Sequence, residues 1–150
     1  MTPADVLLVV AGQEPAAVAG LGEVFPQDLY PFPPDAVAQR WREEVADPGI
    51  DCFVILRRGR VAGFAATRGE ELAHFGVVLE EWGSGLAVAA HDELLAGMRE
   101  RGVTRAWLRV YAANPRGRAF WDGRGWTDTG ERSRGRVPPY AEMLILEREL

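Results

Sequence analysis

Several residue types are scarce or missing from this sequence, and each absence excludes a class of protein. There is no lysine, so all 17 basic residues are arginine. The single cysteine, Cys52, excludes an internal disulfide bond. With only two histidines beside it, no Cys/His metal-ligand spacing is present, and we expect no bound metal. Cys52 lies in an apolar strand pattern, which favours a buried, inert thiol over a nucleophile.

Long apolar runs and an excess of positive charge are also missing. No apolar run approaches the ~20 residues that cross a membrane, and the start of the chain lacks the basic residues of a signal peptide. The net charge of −5 leaves no basic footprint for nucleic acid. We therefore expect a cytoplasmic protein with no membrane or nucleic-acid partner.

What is present is typical of a globular protein. The chain has 150 residues, of which 47% are hydrophobic and 26% are charged. This length suits one ordinary domain with a sizeable core, and no repeat or linker divides it. We therefore expect a single domain over residues 1–150.

The most informative stretch is 72–87, LAHFGVVLEEWGSGLA, where an apolar strand breaks at Gly83 and Gly85 and runs into a helical pattern. The first turn of a helix leaves its N–H groups unpaired, and the peptide dipoles place partial positive charge there. Phosphate and pyrophosphate bind such an end, and glycines allow close approach. The pattern indicates an anion site, although taken alone it is also ordinary turn chemistry.

Hydrophobic periodicity divides the first half of the chain into short elements. The apolar run VLLVV predicts a buried strand, and Arg58-Gly59 between two β-rich runs predicts a hairpin. The predicted elements are, in order, a strand at 6–10, a weak helix at 14–24, an irregular proline-rich segment at 26–34, a helix at 35–46, and strands at 52–56, 61–67 and 71–79.

The second half alternates helices and strands. Asn114-Pro115 is a strong helix start, with asparagine as the cap and proline pre-set at the first position. The predicted elements are a helix at 84–101 with a core stripe of Leu86, Ala90, Leu94 and Met98, a strand at 105–111, a short helix from 114, a strand beginning at 126–129, a polar loop at 131–137 and a last strand at 140–146. Hairpins mixed with a strand–helix–strand crossover predict an α+β (mixed α/β) domain.

Two segments together resemble the GNAT superfamily of acyl-CoA-dependent N-acetyltransferases. The family's phosphate segment, L-x-x-L-x-V-x-P-x-x-[RQ]-G-x-G-x-[GA], is matched at Leu72, Phe75, Val77, Gly83, Gly85 and Ala87. It departs at Leu79, where proline is usual, and at Trp82, where arginine or glutamine is usual. The second segment, NPRGRAFWDGRGW, matches N-x-x-A-x-x-[FL]-Y-x-x-x-G-[FW] at Asn114, Phe120, Gly125 and Trp126. The resemblance covers roughly residues 50–130.

The resemblance implies a single GNAT-like domain with a splayed mixed sheet of about six to seven strands and about four helices. Acetyl-CoA would be wedged between the strands that end near Leu79 and Tyr111. Arg116 and Arg118 are candidates for pairing with the ribose phosphate. The other implied cofactor contacts are backbone N–H groups of Gly83, Ser84, Gly85, Leu86, Ala87 and Val88 for the pyrophosphate, main-chain groups of Phe75 and Val77 for the pantetheine arm, and Asn114 and Trp121 from the second segment.

The implied reaction is direct attack of an amine on the thioester of acetyl-CoA. It needs a proton acceptor, and Glu71 is the first choice, with His74 as a relay. Trp121 stands where the family has a tyrosine acid, and indole cannot protonate a thiolate. Tyr111 or Tyr140 is the substitute. Weaker candidates with plain structural alternatives are Glu70, Glu142 and His91, the last expected at the surface or the core boundary.

The acceptor implied by the family is a primary amine of a small molecule or peptide, and family members are often homodimers. The acceptor side would involve Tyr30, Phe32, Trp41 and the loop at 131–137. Because Trp121 replaces the tyrosine, a non-catalytic acyl-CoA-binding or sensing domain is the alternative. A third interpretation, an interaction domain in which WGSG is only a turn, predicts no CoA binding.

Overall fold

A computed structural model describes residues 1–150 as four α-helices and one six-stranded sheet. None of the helices is long and apolar enough to cross a membrane. The helices are α1 (Val6–Gly20), α2 (Pro34–Ala46), α3 (Leu86–Glu100) and α4 (Pro115–Asp122). The strands are β1 (Asp51–Arg57), β2 (Arg60–Arg68), β3 (Glu71–Val77), β4 (Arg105–Tyr111), β5 (Thr127–Arg134) and β6 (Glu142–Glu149).

The sheet consists of two antiparallel halves joined by one parallel contact. Its strand order is β1-β2-β3-β4-β6-β5, and only β3 and β4 run parallel. That pair shares just two Cα partners, Glu71 with Trp107 and Leu72 with Leu108, and the strands separate beyond them. The predicted α+β fold with a splayed mixed sheet is therefore confirmed.

A bulge in β3 decides which side chains face which side of the sheet. His74 pairs with Ala66 and Leu72 pairs with Thr67, so Ala73 is an extra residue. Side chains alternate along a strand, and the extra residue resets that alternation. Leu72 and Phe75 consequently point to the same face, and Glu71 and His74 point to the other.

Each face of the sheet has its own core. Helices α3 and α4 cover one face, where Ala106, Leu108 and Val110 of β4 are buried. Helices α1 and α2 cover the opposite face on the β1–β3 side. The first core contains Leu72, Leu95, Met98, Ala106, Leu108, Val110, Trp121, Trp126, Leu144 and Leu146. The second contains Val6, Val9, Val10, Val37, Ala38, Trp41, Ile50, Phe64 and Ala66.

The strand predicted at 6–10 is wrong, because these residues form the first turns of α1. Thr2 and Asp5 form a capping box in the short 3-10 turn just before the helix, with the Thr2 N–H donating to Asp5 Oδ2 at 2.7 Å. Val6, Val9 and Val10 are buried at helical spacing, whereas Leu7 and Leu8 are exposed. Pro15 lies inside this helix and does not open one, and the helix ends at Gly20.

The core stripe predicted for α3 is confirmed only in part. The buried residues are His91, Leu95 and Met98, and of the predicted positions Met98 is among them and Leu94 packs, partly buried, against the first core. His91, expected near the surface, is 0% exposed. Its Nε2 accepts a hydrogen bond from Trp126 Nε1 at 3.0 Å, and its Nδ1 lies 2.7 Å from Asp92 Oδ1. Since Nε2 is the acceptor, the neutral ring carries its proton on Nδ1 and donates it to Asp92.

The predictions for the last third of the chain need shifted boundaries. The polar segment expected as a loop at 131–137 continues β5 as far as Arg134. The last strand begins at Glu142 and continues to Glu149, three residues beyond its predicted end. Strand β5 is almost wholly exposed, so it has no hydrophobic alternation to reveal it. The predicted hairpin is confirmed, with positive φ at both Arg58 and Gly59.

The buried His91 predicts a pH dependence of stability. Burial lowers the pKa of His91 below its ordinary 6.5, and the hydrogen bond with Asp92 offsets this only in part. The unfolded chain therefore takes up a proton near pH 6.5, whereas the folded chain does so only at lower pH. The free energy of unfolding falls with a slope of up to about 1.4 kcal/mol per pH unit as pH drops below 6.5. Urea unfolding between pH 7 and 5 measures this.

His91→Gln is the matched control, because an amide can accept from the Trp126 indole and does not titrate. The difference in free energy of unfolding between His91→Gln and the wild type should move steadily in favour of the variant as pH falls from 7 to 5. If the free energies of unfolding of the two proteins changed in parallel with pH, the lowered pKa of His91 would be contradicted.

Candidate active site

The turn between β3 and α3 is open toward solvent. A short 3-10 turn at Leu79–Glu81 is followed by Trp82, and then by Gly83 and Gly85 with φ of +78° and +85°. A Cβ at either glycine would meet nothing within 4 Å, so space above the backbone is free. L-residues rarely adopt such φ values, and this explains the glycine pair.

Backbone donors converge at this turn. The N–H groups of Gly83, Gly85, Ala87 and Val88 have no acceptor in the protein, and helix α3 makes its first bond from Ala89 to the Gly85 carbonyl. The Leu86 N–H is held by Ser84 Oγ at 3.2 Å. Unpaired N–H groups at a helix N-terminus fit a phosphate or pyrophosphate.

Arg57 of β1 also reaches this turn. Its Nη1 donates to Glu81 Oε2 at 2.8 Å and to Ser84 Oγ at 3.0 Å. The ion pair neutralises a carboxylate that would otherwise repel an anion at the turn. No sequence pattern pointed to Arg57, because it lies 24 residues before Glu81.

The open edge of β3 offers main-chain groups to the space between β3 and β4. The Val78 N–H donates to the Ala62 carbonyl in β2 at 2.9 Å. Because amide directions alternate along a strand, those of Phe75 and Val77 point away from β2, into the splay. These are the two residues predicted to pair with a pantetheine arm.

The second predicted segment begins α4 as expected. Asn114 caps the helix, with Oδ1 accepting from the Gly117 N–H at 2.9 Å, and Pro115 is the first helical residue. The Asn114 Nδ2 group has no protein acceptor. Arg118 donates to the Ala112 carbonyl at 3.3 Å, whereas Arg116 stacks on Trp82 with 3.8 Å between its Cζ and the ring centroid.

Trp121 lies in an aromatic cluster beside the splay and is only 8% exposed. Its ring centroid is 5.5 Å from that of Phe75, 4.9 Å from Phe120 and 5.6 Å from Trp126. The side chain therefore forms part of the apolar wall, and it brings no acidic hydroxyl to the site.

Glu71, the first choice as base, is tied into an ion pair. It is 5% exposed, and its Oε1 accepts from Arg109 Nη2 at 2.5 Å, with Arg68 Nη1 at 3.8 Å from Oε2. Two arginines thus hold this carboxylate at the point where β3 and β4 still pair. The arrangement is that of a structural buried salt bridge.

His74 has a partner that the sequence did not reveal. Its Nε2 lies 3.0 Å from Oε1 and 2.9 Å from Oε2 of Glu44 in α2, and its ring packs 5.0 Å from that of Trp41. Burial raises the pKa of Glu44, but the hydrogen bond and charge of His74 outweigh this, so the pKa lies below its usual value. Glu44 is therefore a carboxylate facing an imidazole, 30 residues away in sequence.

Tyr111 ends β4 on the same side of the sheet as His74. It packs against Phe25 with centroids 5.4 Å apart, and its hydroxyl would lie 3.3 Å from a Cβ at Gly135. Burial raises the pKa of Tyr111. Tyr140, the other candidate for the substitute acid, is exposed, and so are the weaker candidates Glu70 and Glu142.

Two further predictions can be compared with the structure. Trp41, expected on the acceptor side, is 0% exposed and donates to Gln13 Oε1 at 2.9 Å, so it belongs to the core. Cys52 is half-buried, and burial together with the Glu44 charge raises the pKa of its thiol, which suits the inert cysteine expected. No group of three or more His, Cys, Asp or Glu side chains is placed to hold a metal ion.

A glycine turn with unpaired N–H groups lies next to a sheet that splays at one parallel pair, and this arrangement can hold the phosphate end of a ligand with an extended arm. The sequence profile of the Acetyltransferase (GNAT) family matches residues 17–126. The chain belongs to this family. A comparison with curated protein sequences gives no significant match.

Solved structures share this fold over most or all of the chain. An acetyltransferase from Thermus thermophilus has a TM-score of 0.78 at 20% identity, covering 100% of this chain and 94% of its own. The PaiA N-acetyltransferase of Thermoplasma acidophilum, in complex with coenzyme A, has a TM-score of 0.75 at 11% identity, with coverage of 100% and 96%. The ribosomal-protein-S18-alanine N-acetyltransferase of Escherichia coli has a TM-score of 0.61 at 20% identity, with coverage of 80% and 78%. At these identities the likeness is one of fold. Nothing in the matches supports the alternative of a non-catalytic acyl-CoA-binding domain.

The ion pair of Glu71 and Arg109 predicts a large effect on stability. Arg109→Met leaves a buried carboxylate without its main partner, which should lower the free energy of unfolding by about 3 kcal/mol or more. Urea unfolding at pH 7 measures the loss. Adding Glu71→Gln should recover much of it, because no buried charge then remains.

The comparison variant is Arg105→Gln, which breaks an exposed pair with Glu149 and should have no measurable effect. If Arg109→Met were as mild as this variant, the buried pair would have no special role in stability.

Proposed function

We propose that residues 1–150 act as one N-acetyltransferase domain that transfers an acetyl group from acetyl-CoA to the primary amine of a small molecule or peptide. The observation that carries this proposal is the set of unpaired N–H groups at Gly83, Gly85, Ala87 and Val88, directly beside the open edge of β3. An anionic cofactor can bind to an acidic chain in this way, because fixed backbone donors set the local field.

The cofactor roles follow the two segments. The turn from Gly83 to Val88 holds the pyrophosphate, and main-chain groups of Phe75 and Val77 pair with the pantetheine arm. The Asn114 amide nitrogen adds a donor, and Trp121 supplies an apolar wall. Acetyl-CoA supplies the thioester carbonyl that the amine attacks, and the unpaired Val77 N–H is the donor we assign to its oxygen.

His74 is the proton acceptor in this proposal. Glu44 fixes the Nε2–H, which leaves the Nδ1 lone pair free to take a proton from the attacking amine. The carboxylate then stabilises the imidazolium that forms, as in other carboxylate–histidine pairs. Glu71 cannot do this equally well, because Arg109 and Arg68 already occupy its carboxylate.

Tyr111 is the proposed proton donor to the departing thiolate. A tyrosine hydroxyl is protonated at neutral pH, and burial raises the pKa of Tyr111 further, so the proton stays on the hydroxyl until a basic thiolate forms beside it. It replaces the hydroxyl that Trp121 lacks. The proposal names no acceptor beyond a primary amine, although the name of one structural relative specifies the alanine of a ribosomal protein.

The phosphate turn predicts a specific loss of cofactor binding in Gly85→Ala. Acetyl-CoA at ~100 times its Kd should stabilise the wild-type protein by ~2.7 kcal/mol, which a thermal shift detects readily. At φ +85° an alanine strains the turn and misaligns its N–H groups, so the shift should largely disappear.

Gly59→Ala is the matched control, because Gly59 also has positive φ and open space around it, but lies in the β1–β2 turn. It should lower the melting temperature of the free protein and keep the full acetyl-CoA shift. A wild-type protein that shows no shift with millimolar acetyl-CoA, with ATP as reference, would overturn the proposed function.

The assignment of His74 as the base predicts how strongly three variants lose kcat. The assay measures release of CoA, with the best amine found in a screen of polyamines, amino acids, arylalkylamines and peptides. His74→Gln should lower kcat about 100-fold, within the usual range for a lost general base. Glu44→Gln should lower kcat less, since the imidazole remains. The KM for acetyl-CoA should change little in either case.

Glu71→Gln is the third variant and should retain most of its kcat, provided its thermal midpoint lies above the assay temperature. A large loss in Glu71→Gln with little loss in His74→Gln would return the role of base to Glu71.

A further inference from the structure

Trp82, the residue before the glycine pair, interacts with Arg116 of helix α4. The turn has no cation of its own at this position, where the family pattern has arginine or glutamine. The Arg116 guanidinium instead lies over the indole, with its Cζ 3.8 Å from the ring centroid. The other end of the indole lies near the end of α1, with Cη2 3.5 Å from the position a Cβ would take on Gly20.

Arg116 is held in place without being neutralised. It is exposed, and it makes no salt bridge or hydrogen bond within the protein. Stacking uses only the flat face of a guanidinium, so the N–H groups around its edge stay free for an anion. The other arginine at the turn, Arg57, is already paired with Glu81. Arg118, the second arginine of α4 considered from the sequence, is bonded to the Ala112 carbonyl.

Trp82 and Arg116 also line one cavity, together with Glu23 just after α1. The cavity has a volume of about 420 Å³ and lies between the end of α1, the phosphate turn and the start of α4. Trp82 directly precedes Gly83, so the guanidinium is stacked on the residue from which the unpaired N–H groups of the turn follow.

We propose that Trp82 and Arg116 form one unit that binds a phosphate group of acetyl-CoA, with the indole holding the guanidinium in position. This inference rests on the proposed function. The charge that the family pattern places in the turn is supplied here from α4. Because the guanidinium is ordered before the ligand arrives, less side-chain freedom is lost on binding.

The test is isothermal titration calorimetry with CoA and with 3′-dephospho-CoA, at low and high salt, on the full chain. Arg116→Gln should weaken CoA binding about tenfold or more, as expected for a lost charge-assisted hydrogen bond, and should reduce the salt dependence. Trp82→Ala should weaken it to a similar degree. The double variant should lose far less than the product of the two single losses.

Two controls separate this effect from general charge or folding defects. Arg99→Gln makes the same charge change on an exposed arginine at the far end of α3 and should leave the affinity within about twofold of wild type. Trp82→Phe keeps an aromatic face and should retain most of the affinity even if Trp82→Ala folds poorly.

The two ligands identify the phosphate involved. If Arg116→Gln also weakens the binding of 3′-dephospho-CoA, the unit binds the pyrophosphate. If the variant weakens the binding of CoA but not of 3′-dephospho-CoA, the unit binds the 3′-phosphate. Wild-type affinity in Arg116→Gln, independent losses in the double variant, or tighter binding on removing either side chain would overturn the inference. Failure of the wild-type protein to bind CoA would instead overturn the proposed function.

Discussion

The short parallel contact between β3 and β4 is the constraint on which the rest of the structure depends. Only two residue pairs join the halves of the sheet, so everything beyond Leu72 and Leu108 is free to diverge. An unpaired strand edge is normally a liability. Here it lies inside the molecule, flanked by α3, α4 and the α1–α2 segment. The same divergence that leaves the amides of Phe75 and Val77 unpaired also creates the space that an extended ligand arm can fill.

Electrostatic pairing complements this geometry. The chain carries a net charge of −5, yet its arginines near the site are mostly committed: Arg57 to Glu81, and Arg109 to Glu71. An arginine paired with a carboxylate cancels the repulsion that this carboxylate would exert on an anion, but it adds no affinity for the anion. In the proposed function, the attraction for a phosphate comes from fixed backbone N–H groups and from the Arg116 guanidinium stacked on Trp82. Under that proposal, local dipoles outweigh total charge in deciding what this surface binds.

Local signals in the sequence predicted much of the fold and of the backbone geometry at the candidate cofactor site. Arg58-Gly59, Asn114-Pro115 and the Gly83/Gly85 pair each specify a backbone conformation within a few residues, and each is found where expected. Residues 6–10 failed because a continuous Val/Leu run has no period that separates helix from strand. The contacts of His91 with Trp126 and of Glu44 with His74 join residues 35 and 30 positions apart. No local pattern carries such pairings, so the acid–base side of the site could not be predicted in full.

Because of the bulge at Ala73, strand β3 tolerates substitutions more readily than it tolerates a change in its number of residues. Individual side chains along this strand can be exchanged during evolution as long as each fits its own face. Loss of a single residue near the bulge is different, because regular alternation would return and Glu71 and Leu72 would swap faces relative to His74 and Phe75. A carboxylate would then enter the core under α3, and an apolar side chain would meet Arg109. Relatives that vary freely in sequence along this strand should therefore still agree in where they carry its one extra residue.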